Sequence, residues 1–502
     1  MQTSVDQNNL KSTLHDRGIC VVIPTYNNAG TVVDVVTRTL QQCDDVIVVC
    51  DGCTDGTTEL VQSLKGVTVV SYADNKGKGS ALKHGFKKAL ELGFSYAITL
   101  DADGQHFPED IPLLLDANIK HPGALLVGQR KGLENMQRSL GSKFANEFSN
   151  FWFCVQTGKR LRDTQTGYRL YPIKKIAGLN FLTSRYEAEL ELLVFSCWHG
   201  VPIVSVPVNV YYPPRQERVS HFRPGPDFAR ISVLNTCLCV LAVVYGLPLK
   251  VWRGIAATCR TLYSLTAYLI ACFLILLPFT AILNIFHVNS EKKSSRLHSA
   301  LYWVAKFVID IHGIPGVRYK VDNPHEKFQS PAVVVCNHQS HLDLMIMLSQ
   351  TKKMVVLTND WVWNSCFFGS VIRNAEFYPV SMGVESLLPK LQNLVERGYC
   401  IAVYPEGTRS KDGKIARFHK GAFHIANALR LDIVPFVEYG AGHVLPKKGK
   451  YLRKGRIVVK INERIHFAEY STNGTVKDIA SWFRKYYKSE YAQLCNKLDQ
   501  DA

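Results

Sequence analysis

Two stretches of the sequence pair residue types with a spacing that could do chemistry. Asp101-Ala102-Asp103 follows the apolar run YAITL at 96–100, so two carboxylates stand at the exit of a buried-type strand. Oxygen ligands in that position can hold a divalent cation, and a cation there would neutralise a departing diphosphate. Much later the run PAVVVC at 331–336 ends at Asn337-His338-Gln339-Ser340-His341-Leu342-Asp343. A histidine and an aspartate five apart at a strand-to-helix turn allow the carboxylate to fix the imidazole tautomer and raise its basicity, so that His338 can take a proton from a hydroxyl. Neither pattern is specific alone: an Asp-x-Asp is commonly a solvated loop, and the His and Asp spacing recurs by chance.

The neighbouring motifs sharpen the first stretch. Asn75-Lys76-Gly77-Lys78-Gly79-Ser80 opens a helix, and its glycines, amides and lysines suit a phosphate; a helix cap with solvated lysines is the plainer reading. Cys50 and Cys53 flank Asp51-Gly52, but partners for a zinc or redox role are missing, so they are read as small apolar fillers. In order and spacing, IPTYNN, CDGCTDGT, DNKGKGSAL and Asp101-Ala102-Asp103 resemble the family 2 glycosyltransferases of the GT-A type. The resemblance implies that Pro24, Thr25 and Tyr26 form the first nucleotide-contacting loop. It makes Asp51 the reader of the base or ribose, and Lys78 and Asp101 part of the nucleotide-sugar site. It also makes Asp103, with Asp101, the holder of a divalent metal, Mg or Mn, with Asp103 catalytic. The family usually has an acidic residue where Cys50 stands. Gly104-Gln105-His106 and the run 163–169 (DTQTGYR) look like the subgroup that glycosylates polyprenyl or dolichyl phosphates, which makes Arg169 an acceptor-binding residue. Glu187, Glu189, Arg218, Ser220 and His221 fall where that subgroup has its acceptor-side loop. The implied chemistry is inversion at the anomeric carbon. A hydroxyl acceptor needs a base, for which Glu187 or Glu189 is the candidate, whereas a phosphate acceptor needs none; a polar helix face is the plainer reading of both glutamates.

In the second half, the strand-like YCIAVY at 399–404 ends at Pro405-Glu406-Gly407-Thr408-Arg409-Ser410, followed by Phe418-His419-Lys420-Gly421 and Ile433-Val434-Pro435-Phe436. With the His338 to Asp343 block, this ordered set resembles the glycerolipid acyltransferases typified by lysophosphatidate acyltransferase. The resemblance makes His338 the general base and Asp343 its orienting partner, with an activated hydroxyl attacking the thioester of acyl-CoA or acyl carrier protein and no cofactor required. Glu406, Gly407, Thr408 and Arg409 match the acceptor-binding block, where a guanidinium suits a phosphate. The second family block usually ends in an arginine; AEFYPVSMG offers none, and Arg373 falls early, so the identity of the acceptor stays open.

These motifs need scaffolds. Strands alternating with helices in the first half predict a parallel sheet with helices on both faces and ligands at the carboxyl ends of its strands. Between the halves, residues 231–249 and 261–286 carry no charge, and each approaches or exceeds the roughly 20 residues that span a bilayer. Lys250, Arg253 and Arg260 lie between them. The expected fold is therefore α/β: a GT-A Rossmann-like nucleotide-sugar domain, an apolar helical hairpin, and an α/β glycerolipid-acyltransferase domain. The boundaries read as a polar lead at 1–17, glycosyltransferase at 18–228, membrane-associated hairpin at 229–290 and acyltransferase at 291–502. A spanning hairpin would carry basic residues across the membrane, so a re-entrant or in-plane hairpin competes with it. The aromatic and basic C-terminal segment, from Trp482 to Tyr491, suits either a membrane surface or packing on the domain core.

The 502 residues exceed one core. The balance of 59 Lys and Arg against 42 Asp and Glu, a net +17, favours anionic partners, but dispersal of the basic residues among the motifs argues against nucleic acid. Scattered cysteines and a polar start favour the cytoplasm. The expectation is a bifunctional enzyme of lipid biosynthesis at the inner, cytoplasmic membrane, with both catalytic domains facing the cytoplasm. Its partners are a nucleotide-sugar donor, an acyl donor and a lipid acceptor. The alternative is that only one domain is catalytic and the other recruits substrate.

Overall fold

The structure is a computed structural model and describes residues 7–131, 140–179, 181–211, 224–410, 413–472 and 474–500. The chain divides into two compact units, one built from the residues up to Trp252 and one from Arg253–Cys495.

The first unit holds β1 (Ile19–Thr25), β2 (Val46–Asp51), β3 (Val67–Tyr72), β4 (Tyr96–Thr99), β5 (Leu125–Arg130), β6 (Arg169–Tyr171) and β7 (Ile203–Val208), in the sheet order β3-β2-β1-β4-β6-β5-β7. β1 runs parallel to β2 and β4, β2 to β3, and β5 to β7, while β6 is antiparallel to both neighbours. Alternate residues of β1 feed two cores: Ile19, Val21 and Ile23 enter one cluster, Cys20 and Val22 the other. A sheet covered on both faces needs continuous apolar strands, which is the pattern the sequence shows. The parallel arrangement brings the ends of β1, β2 and β4 to one edge, and with them Tyr26, Asp51 and Asp101. Helix Lys78–Glu91 lies so close to helix Glu187–Trp198 that a Cβ on Gly79 would fall 2.3 Å from that of Ala188. The segment read as a polar lead forms helix Gln7–Asp16, with Leu10 and Leu14 buried in the core. Its last turn is tied down by His15 to Asp45 at 2.8 Å, and Arg17 bonds Asn118 at 3.0 Å.

The apolar stretch differs from the expected hairpin. One helical run, Gly225–Ile285, covers both apolar segments and the basic connector. Pro248 and Pro278 do not end it, because each follows a widened π turn, Ala242–Gly246 and Ala271–Leu276, which accommodates a residue lacking an N–H. Among the described residues it is the one helix long and apolar enough to cross a membrane: its most apolar 18-residue window has a mean hydropathy of 2.3, with only 22% of that window buried. A core helix of a soluble domain would be mostly covered. Arg260, in the basic connector, is buried and donates to the Leu452 carbonyl at 2.9 Å.

The second unit holds β8 (Val317–Asp322), β9 (Val333–Cys336), β10 (Met354–Val356), β11 (Cys400–Val403), β12 (Ile433–Tyr439) and β13 (Gly455–Ile461), in the order β10-β11-β9-β12-β13-β8. β9, β10, β11 and β12 are mutually parallel, and β12 to β13 is antiparallel. The carboxyl ends of β9, β11 and β12 therefore share one edge, which receives His338, Glu406 and Glu438. In helix Val476–Gln500, Phe483 and Tyr487 are fully buried, and the Tyr487 hydroxyl accepts from the Phe436 amide at 3.1 Å. Phe483 and Tyr487 thus pack on the core, while Trp482 on the same helix is exposed.

Candidate active sites

At the edge of the first sheet, the Lys78 ammonium lies 2.7 Å from Oδ1 of Asp101 and 3.0 Å from Oε2 of Glu189. Burial acts to lower the Lys78 pKa, but the two carboxylates outweigh it and hold the amine above its ordinary value. Burial likewise works against the Asp101 anion, and Lys78 overrides it, so Asp101 sits below the usual carboxylate range. The Asp101 amide donates to Nδ1 of His106 at 3.1 Å, which makes that nitrogen the acceptor and leaves the proton on Nε2. Burial pushes His106 down to about 4, although Asp101 acts to raise it. Gly167 comes within van der Waals range of this cluster: a Cβ there would lie 2.7 Å from Lys78 Nζ and 2.8 Å from Asp101 Oδ2. Its carbonyl accepts from Thr99 at 2.7 Å, which locks the 163–169 loop over the strand exit.

Asp103 is half-buried beyond Asp101, and its Oδ1 accepts from the Gln105 amide at 3.0 Å. Among the described residues no group of three or more His, Cys, Asp or Glu side chains could hold a metal by themselves. The donors present are carboxylate oxygens, which fit a hard divalent cation that takes its remaining ligands from a diphosphate and water.

Other predicted residues fall differently. Asp51 is buried and its two oxygens accept the Lys76 and Gly77 amides, each at 2.8 Å, so it fastens the glycine-rich loop to the end of β2. Pro24 is a strand residue, buried in β1 opposite Val49, and presents no loop surface; Tyr26 is the half-buried residue just beyond the strand. Arg169, expected to bind the acceptor, is fully buried. Its guanidinium donates to the carbonyls of Thr164, Thr166 and Glu189 at 2.7 to 2.8 Å and to the Tyr171 hydroxyl at 3.1 Å, leaving no face for a ligand. Glu187 and Glu189 are also buried rather than on a polar helix face, each with one oxygen that accepts no hydrogen bond. Arg218, Ser220 and His221 lie outside the described residues.

Residues 20–170 match the family described as glycosyl transferase family 2. A UDP-N-acetylglucosamine–dolichyl-phosphate N-acetylglucosaminyltransferase of Methanococcus voltae is 30% identical over 39% of this chain and 87% of its own length. The chain belongs to glycosyl transferase family 2. A second member, the polyprenol monophosphomannose synthase of Mycolicibacterium smegmatis, is 33% identical over 38% of this chain and 76% of its own length. The similarity falls on the glycosyltransferase unit, whose strand exits carry the cluster just described.

The second unit of this glycosyltransferase carries a separate site. His338 Nδ1 lies 2.8 Å from Oδ2 of Asp343, and the imidazole stacks on Tyr404 with centroids 4.4 Å apart. Asp343 is fully buried and accepts the Gln339 amide at 2.6 Å and the Ser340 amide at 2.9 and 3.0 Å. A carboxylate so placed accepts a hydrogen bond from Nδ1–H, which fixes the tautomer and leaves Nε2 as the base. Glu406, expected in the acceptor block, is buried, and its oxygens accept the His338 and Ala416 amides, each at 2.9 Å. Burial pushes its carboxyl above the usual range against those amides. It therefore clamps the Pro405 loop to the His338 loop. Gly407 has φ +65°, a left-handed turn that lets the chain pass against His419. Thr408 is exposed, and Lys447 reaches its hydroxyl at 2.6 Å and the Arg409 carbonyl at 2.8 Å. Burial, with Arg409 and His338 adding to it, lowers the pKa of His341.

Residues 317–438 match the acyltransferase family. A chloroplastic 1-acyl-sn-glycerol-3-phosphate acyltransferase of Arabidopsis thaliana is 27% identical over 44% of this chain, which spans 59% of that relative's length. Sequence reasoning missed Lys447, Tyr404 and Glu438. Of these, only Glu438 left a signal, an acid inside the apolar run IVPFVEY.

Proposed function

We propose that this chain is a bifunctional, membrane-associated enzyme of lipid biosynthesis. It transfers a sugar from a nucleotide-sugar donor to a lipid phosphate, and an acyl chain from acyl-CoA or acyl carrier protein to a hydroxyl of a lipid acceptor. The observation that carries the reading is that one chain assembles two separate reactive clusters, Lys78 with Asp101 and His338 with Asp343, each at the carboxyl edge of its own sheet.

In the first reaction the acceptor oxygen attacks the anomeric carbon, the bond to the diphosphate breaks, and the configuration inverts. Asp103, with Asp101, would hold a divalent metal, Mg or Mn, whose contribution when bound is to neutralise charge on the leaving diphosphate. Lys78 adds a fixed cation on that side, held in place by Asp101 and Glu189. Tyr26 and the loop that Asp51 fastens supply the nucleotide side. A lipid-phosphate acceptor fits the two curated relatives and needs no base, because it is already anionic; for a hydroxyl acceptor the buried carboxylates of Glu187 and Glu189 are available.

In the second reaction Nε2 of His338 takes the acceptor hydroxyl proton, and the oxygen attacks the thioester carbonyl. The C–S bond then breaks, and the leaving thiolate receives the proton back from the imidazolium. Arg409, Thr408 and Lys447 form the polar rim that would hold an acceptor phosphate. The exposed apolar helix supports membrane association; because a single crossing would put the two units on opposite faces, placing both sites on the cytoplasmic side requires this unbroken helix to lie in the membrane interface.

The test uses the full chain in lipid bilayers, supplied with nucleotide sugars, acyl donors and extracted lipids, and reads products by mass spectrometry. Asp103→Ala is expected to abolish only sugar transfer and His338→Ala only acyl transfer. Unchanged products from both variants would refute the assignment.

A further inference from the structure

Glu438 is a charge-bearing residue inside an apolar strand, and neither curated similarity nor the motif reading gives it a role. It sits near the end of β12, with its backbone clamped to Asn337, the residue before His338: the Asn337 side chain donates to the Glu438 carbonyl at 2.8 Å and accepts from its amide at 2.7 Å. The side chain is fully buried, and among the described residues neither carboxyl oxygen accepts a hydrogen bond from any N–H. Its carboxyl instead meets the carboxyl of Asp343. Cys336, Tyr404, Tyr319 and Tyr491, all acids, also interact with it. No cation among them balances a second negative charge.

Two carboxyl groups in contact in a buried site share one proton, because two anions at that distance repel and neither is solvated. The question is which of them carries it. Asp343 already accepts two backbone amides and the His338 ring, donors that favour a carboxylate, whereas Glu438 accepts none. We infer that Glu438 is a positioning residue for acyl transfer, a neutral carboxylic acid whose O–H donates to Asp343, the hydrogen-bond partner of the His338 imidazole. Burial, with Asp343 adding to it, holds the Glu438 carboxyl well above the usual range, in the same direction.

The consequence falls on the base. An O–H donated to Asp343 stabilises its anion and moderates its pull on the Nδ1 proton, so Nε2 stays unprotonated, and able to act, to lower pH than with an unassisted aspartate. This inference rests on the acyl-transfer reading above, so its test has one arm that needs no turnover. Infrared difference spectra of the full chain against Glu438→Gln are expected to show the loss of one C=O band of a protonated carboxylic acid; spectra without that loss overturn the inference. The second arm is the pH profile of kcat/KM for acyl transfer. Glu438→Gln keeps a neutral donor and is expected to leave the acidic limb within about 0.3 pH unit of the parent. Glu438→Leu removes the donor and is expected to move that limb up by roughly 0.5 unit or more and to lower kcat by about tenfold. A limb displaced downward in Glu438→Gln by about a unit would mean an ionised Glu438 and overturn the inference, as would a Glu438→Leu profile superimposable on the parent's. Should Glu438→Leu fail to fold, the glutamine variant and the infrared arm still decide. If the parent transfers no acyl group, the acyl-transfer reading falls while the infrared arm still reports the protonation of Glu438.

Discussion

The Lys78 ammonium is shared between Asp101 at 2.7 Å and Glu189 at 3.0 Å, with a side chain only 16% exposed. Removing that cation leaves two carboxylates facing each other in a site with little water. Lys78→Met is therefore expected to destabilise the first unit by roughly 3 kcal/mol, the scale for stripping one partner from a buried pair. It is also expected to cut sugar transfer by at least about 100-fold, while acyl transfer persists. Thermal unfolding and the two transfer assays read these effects separately. Unaltered sugar transfer would remove Lys78 from the site.

Asp343 accepts two amides as well as His338, so its carboxylate both shapes the turn and fixes the tautomer. In Asp343→Asn one oxygen becomes an NH2 that cannot accept, and the amide can turn the imidazole to the wrong tautomer. The expected loss in kcat for acyl transfer is roughly 1,000 to 10,000-fold, with sugar transfer unchanged. A variant with more than a tenth of the parent's rate would show that the pair does not orient the base.

Much of this was legible in the residues, and the physical reason is burial. The runs at 19–24, 46–50, 96–100 and 331–336 are apolar apart from Thr99 because both faces of each strand are covered, so pattern and fold coincide. The motifs at their exits then fall on the right edge of each sheet. What stayed hidden depends on contacts between distant positions. Arg169 is expected among the acceptor ligands only through the family resemblance of the run 163–169, which says nothing of burial, and four internal acceptors hold it inside the protein. Glu406 and Pro24 are likewise enclosed: one carboxylate accepts two backbone amides, and one ring lies within a strand. Nor can periodicity anticipate the π turn ahead of Pro248 and of Pro278 that lets the helix run on through both.

Arg169 yields a prediction that separates these two readings. If it is internal bracing for the loop 163–169, Arg169→Met strands the carbonyls of Thr164, Thr166 and Glu189 in the core. The unit is then expected to lose roughly 3 kcal/mol of stability, with sugar transfer falling in step with the folded fraction. A surviving folded fraction should keep the parent's KM for the lipid acceptor. A raised acceptor KM with unchanged thermal stability would restore Arg169 as a ligand.

His106 makes the first unit sensitive to acid. Its folded-state pKa, held down to about 4 by burial, lies below the roughly 6.5 of an unfolded histidine. The unfolded chain therefore binds a proton that the folded chain refuses. The stability that the neutral ring contributes is fully present above pH 6.5 and is lost as pH falls towards 4, by an amount on the order of 3 kcal/mol. His298 in the second unit, also lowered to about 4 by burial, acts in the same direction, so the comparison must be made within one unit. His106→Asn keeps an oxygen to accept the Asp101 amide and removes the titration. The variant is expected to be less stable than the parent at pH 7.5, from lost packing, and to close that gap by pH 4.5. Calorimetric scans across this range, following the transition that Lys78→Met shifts, provide the measurement. Parallel loss of stability in parent and variant would mean that the ring is solvated and that the cluster at the strand exit is open to water.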